Sequence, residues 1–148
     1  PLGTRFDDSR SGYEGYTTGY NRALIAERVH DLLTAVVYAR DLSNTTSVHL
    51  AGLDRAGPWA VIAAAISEET FSSLAANRSW TFEELTDARH PDFLPGALRL
   101  GGMTGITAAC APLQIEFTDS APIDPELRAA WVAVDARPPL VAQGQNDG

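Results

Sequence analysis

The six residues Gly52-Leu53-Asp54-Arg55-Ala56-Gly57 join a short apolar stretch to an apolar run that begins at Pro58. Gly52 and Ala56, both small, stand at the two ends of a five-residue frame centred on Asp54. That is the spacing of a nucleophile elbow, in which a tight strand-to-helix turn pushes the central side chain outward and small neighbours let the backbones approach. The N-terminus of the helix behind such a turn directs N–H groups toward a developing oxyanion. The usual centre is Ser, but a carboxylate also serves as a covalent nucleophile in some hydrolases. The plainer reading is an Asp that caps the helix after it.

An elbow of this kind works with an acid and then a His, in that chain order. Asp119 follows the alternating segment Leu113–Phe117 and stands where an orienting acid would, although Thr118-Asp119-Ser120 is also an ordinary turn sequence. The three His residues, His30, His49 and His90, all precede Asp119, so the order is not completed within the chain. His30 falls beside Arg28 and Asp31 on a polar helix face, and His49 alternates within a strand. His90, in the loop Arg89-His90-Pro91-Asp92, is the one most free to act as a base; a lone loop His is otherwise simply solvated. The candidate catalytic set is therefore Asp54, Asp119 and His90. Three scattered His and a single Cys offer no metal-ligand spacing, and Gly101-Gly102 lacks the context of a phosphate loop, so neither metal nor cofactor is expected. Cys110, in an Ala-rich stretch, reads as a small buried hydrophobe. The acidic pairs Asp7-Asp8, Glu68-Glu69 and Glu83-Glu84 read as solvated surface, because adjacent side chains do not converge on a helix or a strand. Asn44-Thr45-Thr46 and Asn77-Arg78-Ser79 fit the glycosylation sequon with nothing else to support its use.

The elements that must position these residues follow from periodicity. Leu24, Ile25, Val29, Leu32, Leu33, Val36 and Val37 repeat at helical spacing and predict a helix over 22–41, with Glu27, Arg28, Asp31 and Arg40 on its polar side and Asn21 as its cap. Ser47–Gly52 predicts a short buried strand, and Pro58–Ile66 a nearly all-apolar helix with Pro in its first turn. Thr70–Leu74 and Trp80–Phe82 read as short strands, Glu83–Leu85 as a helical turn, and Pro91–Leu100 and Met103–Cys110 as two short helices. Leu113–Phe117 is a strand, Pro125–Val134 a helix capped by Asp124, and Leu140–Ala142 a last strand. Residues 1–21, where Gly and Tyr alternate, form an N-terminal loop segment, and 22–148 form one domain. Helix, apolar strand, tight turn and apolar helix in succession predict an α/β fold with a mostly parallel sheet flanked by helices.

Composition bounds the function. The 148 residues suffice for one core, with 45% hydrophobic and 20% charged residues. All 11 basic residues are Arg, and the net charge is −8, which argues against nucleic acid and anionic membranes as partners. One Cys excludes an internal disulfide, and no apolar run reaches the ~20 residues of a membrane span. The chain starts at Pro1 rather than Met, so a processed or cut N-terminus is expected.

Three stretches carry a more specific likeness. Gly19–Leu24 with Arg28–Ala35, Gly52–Trp59, and Asp92–Leu98 with Cys110-Ala111-Pro112 together resemble the C-terminal half of large bacterial α/β-hydrolases of the acetyl-xylan-esterase or prolyl-oligopeptidase-like type. The resemblance runs from about Gly19 to Phe117. It implies a partial α/β-hydrolase-like sheet, with Asp54 matching the family's Ser and no residue matching the closing His. A half-sheet leaves an apolar strand edge, so a protein partner, a second copy or a further N-terminal portion is expected to cover it. The function this implies is a non-catalytic, hydrolase-derived domain with a structural or interaction role. The alternative is a hydrolase of carboxylic or carbohydrate esters, with Asp54 as nucleophile, Asp119 as orienting acid and His90 or a partner-chain His as base.

Overall fold

The structure, a computed structural model, describes residues 22–67 and 71–142. The Gly/Tyr alternation, Asn21, the pairs Asp7-Asp8 and Glu68-Glu69, and the polar end at 144–148 lie outside the described residues. Among the described residues four parallel strands form one sheet in the order β1 (His49–Gly52), β2 (Ser73–Ala76), β3 (Ile115–Phe117) and β4 (Leu140–Val141). Among the described residues four α-helices accompany them: α1 (Leu24–Asp41), α2 (Ala56–Ile66), α3 (Gly102–Ala108) and α4 (Pro125–Ala133). The α/β class expected from the order of elements is the one observed, and parallel pairing follows because each strand returns through a helical crossover.

The register stacks apolar side chains in one layer. Leu50 aligns with Leu74, and Leu74 with Ile115. Helix α2 lies over this layer as the most apolar element, with Ala60, Val61, Ile62, Ala63 and Ala64 all buried. A helix apolar on every side is one packed on every side. Helix α1 rests on α2, and its Ile25 and Val29 join the core cluster, while Val37 is exposed. Arg28 is 9% exposed, so it belongs to the packed side of α1 rather than to the polar side expected for it.

Other departures have local causes. The N-cap of α1 is Ala23, which makes no side-chain cap. Trp80–Phe82 forms no strand; a 3-10 turn at Phe82–Glu84 is closed by a reciprocal Thr81–Glu84 capping box instead. Pro91–Leu100 is helical only as a 3-10 turn at Ala97–Leu100. Pro95 removes an N–H, and Gly96 takes φ +85°, which breaks any longer helix. At α4 the expected cap is present: the Asp124 carboxylate accepts from Glu126 N–H, with Pro125 in the first turn. Among the described residues no helix is long and apolar enough to cross a membrane.

Candidate functional site

Because all strands are parallel, the loops after β1, β2 and β3 gather at one end of the sheet, where open α/β sheets build their ligand sites. The loop after β1 is the Gly52–Gly57 turn. Asp54 there adopts φ +50°, a left-handed conformation that Asp tolerates better than most residues. A Cβ on Gly52 would lie 2.6 Å from the Ala56 carbonyl and 2.8 Å from Gly57 Cα. One on Gly57 would overlap the Asn77 carbonyl. Small residues are thus required where the chain reverses.

Groups from the loop after β2 hold the turn in place. The Asn77 amide donates to the Asp54 carbonyl at 2.6 Å and accepts from its N–H at 2.9 Å. Ser79 Oγ donates to the same carbonyl at 2.8 Å, and so does Gly57 N–H at 3.0 Å. These bonds compensate the left-handed backbone and over-determine its position. They also engage Asn77 within the fold, so the second sequon is a structural element. The Asp54 carboxylate makes no cap on α2 and accepts no hydrogen bond from a described residue. Asp54 lines a cavity of about 280 Å3 together with Arg55, Ser79, Trp80, Leu85, His90 and Asp92.

His90 is thus brought to the same cavity as Asp54, without a hydrogen bond between them. Its Nδ1 accepts the Asp92 backbone N–H at 3.2 Å and lies 3.9 Å from Asp92 Oδ2. Asp119 is held elsewhere, at the end of β3. Both of its oxygens receive the Arg78 guanidinium, and Oδ2 also accepts Arg78 N–H at 2.9 Å. Arg78 further donates to the carbonyls of Ala121 and Pro122 and lies 4.3 Å over the Phe117 ring. The Asp119–Arg78 pair therefore clamps the loops after β2 and β3 together. Partial burial pushes the Asp119 carboxyl up, but the Arg78 hydrogen bonds, Ala121 N–H and the Arg78 charge outweigh it and hold the group below its ordinary 3.8.

This depression fixes a pH dependence. The unfolded carboxyl takes up its proton first as pH falls, so the stability contributed by Asp119 is complete above the ordinary carboxylate range. It is lost as pH drops through that range to the folded value. The melting-temperature gap between wild type and Asp119→Asn is expected to be open at about pH 7 and to narrow as pH falls through the ordinary carboxylate range and below it. A gap that stays constant across this interval contradicts the clamp.

No family model, curated protein or solved structure matches this chain. The sequence reading passed over the site's most buried polar group, Asp92, which is 1% exposed. Asp92 Oδ1 accepts from Arg28 Nη1 and Trp59 Nε1, and Oδ2 from Arg55 Nε, each at 2.8 Å. Arg28 also stacks on Trp59, 4.4 Å from the ring centroid. A signal was available: Arg28 sits three residues after Ile25 and beside Val29, within the buried stripe of its helix. His30 and His49 lie apart from this site; His49 is exposed and bonds Ser73 and Ser47. Cys110 is buried against the Val61 carbonyl, and burial pushes its thiol up to about 12. Among the described residues no cluster of His, Cys, Asp and Glu could hold a metal ion.

Proposed function

We propose that the chain is a non-catalytic α/β domain of hydrolase descent that acts through interaction. The observation that carries this reading is the Asp119 carboxylate, both of whose oxygens are taken by Arg78. A triad acid must be available to orient a His, and Asp119 instead ties two loops together. Asp92 is likewise committed to two Arg and an indole. The remaining carboxylate, Asp54, has no His bonded to it. A role in association is supported at the sheet edge. Among the described residues β1 pairs only with β2, and His49, Ala51 and Leu53 beside that edge are exposed.

The chain is expected to hydrolyse p-nitrophenyl acetate no faster than its Asp54→Asn variant, which keeps a side chain suited to the left-handed turn. Turnover that disappears in Asp54→Ala and Asp54→Asn would overturn the non-catalytic reading. It would favour the second one, an ester hydrolase using Asp54 and His90. The observation behind that alternative is that both residues line one cavity.

A further inference from the structure

The cavity beyond the turn holds two charged groups with binding capacity to spare. The Asp54 carboxylate accepts no hydrogen bond from a described residue. Arg55 uses only Nε, on Asp92 Oδ2, and its two terminal nitrogens have no partner among the described residues. The two residues are neighbours in sequence and line the same cavity, yet no ion pair joins them. Each is fixed near its root. The Asp54 backbone is held by Asn77, Ser79 and Gly57. Arg55 is anchored on Asp92, which Arg28 and Trp59 secure from below. An acceptor and a guanidinium fork are thus preorganised apart from one another, with Trp80 and Leu85 as apolar wall.

We propose that this cavity binds a free α-amino acid with an apolar side chain. The ammonium meets Asp54, the carboxylate takes the open edge of Arg55 as a bidentate acceptor, and the side chain lies along Trp80 and Leu85. A simple cation or anion would answer only one of the two charges. The cavity, about 280 Å3, has room for a single amino acid. The inference rests on the non-catalytic reading of the same turn, since a bound amino acid is recognised here and not transformed.

The test is an amide-shift titration of the 15N-labelled chain with three probes. L-phenylalanine carries both charges, its methyl ester lacks the carboxylate, and N-acetyl-L-phenylalanine lacks the ammonium. L-phenylalanine is expected to shift the Asp54, Arg55 and Trp80 signals saturably, and each blocked probe to bind at least about 10-fold more weakly, the worth of one charge-assisted bond. Asp54→Asn is expected to weaken L-phenylalanine by about 10-fold and leave the N-acetyl probe unchanged, while Arg55→Gln does the reverse with the ester. The spectrum itself reports whether each variant is folded. No saturable shift with L-phenylalanine, equal affinity for the three probes, or insensitivity to Asp54→Asn overturns the proposal. The ester separates the two readings. Its Asp54-dependent hydrolysis overturns the non-catalytic reading, whereas absence of amino-acid binding without hydrolysis removes this inference alone.

Discussion

Asp92→Ala is expected to destabilise the fold by about 3–5 kcal/mol, the cost of removing one partner from a buried ion pair. The reason lies in what is lost together. Arg28, 9% exposed, loses its ion pair with the buried carboxylate, and the Trp59 indole N–H loses its acceptor in the same step. Arg55 contributes less, because it is 47% exposed and water replaces its partner. Against a total stability of about 5–15 kcal/mol this is a large fraction, and the urea midpoint should fall accordingly with little change in slope. A single variant within about 1 kcal/mol of wild type would mean that water reaches Asp92. Because Asp92 anchors Arg55, the same variant should also free the guanidinium at the cavity mouth.

The parts of this molecule that were legible in the sequence are those decided by neighbours in the chain. The apolar run after Pro58, the alternation at Leu113–Phe117 and the Asp124-Pro125 start each encode their element locally, and each is observed. The sharpness of the turn at Asp54 was readable from Gly52 and Ala56, because close backbone approach leaves room only for small side chains. The Asp92 cluster was not readable in this way. Its partners lie 64, 37 and 33 residues away, and an Asp in a Pro-flanked loop looks like any solvated turn residue. The commitment of Asp119 to Arg78, 41 residues earlier, is hidden for the same reason. At Pro91–Leu100 the sequence suggested a helix, but Leu94 and Ala97 are apolar because they pack on the core from a loop and a single 3-10 turn. The chemistry of the site thus depends on contacts that only the parallel sheet creates, by bringing successive loops to one end.

Trp131→Ala is the other change expected to cost about 3–5 kcal/mol, as large aromatic truncations in a closed core do. Helix α4 is exposed over most of its surface, including Val132, and only Leu127 and Trp131 on it are buried. Trp131 is 0% exposed, and its indole N–H donates to the Leu113 carbonyl at 3.0 Å, tying α4 to the start of the β3 segment. Two side chains therefore hold the helix that delivers the chain to β4. Trp131→Phe separates the two contributions. It keeps most of the apolar area but leaves the Leu113 carbonyl without its donor, for an expected loss of about 1–2 kcal/mol. The consequence should also be local. Strand β4 has two residues and joins the sheet through short pairing with β3, including Ala142 N–H to the Phe117 carbonyl at 2.7 Å. Once α4 loosens, that edge should open before the rest of the sheet. Hydrogen exchange of Trp131→Ala should then accelerate first at α4 and Ala142 and leave the α2 amides protected. Uniform acceleration across both regions would show instead that α4 and the sheet unfold as one unit.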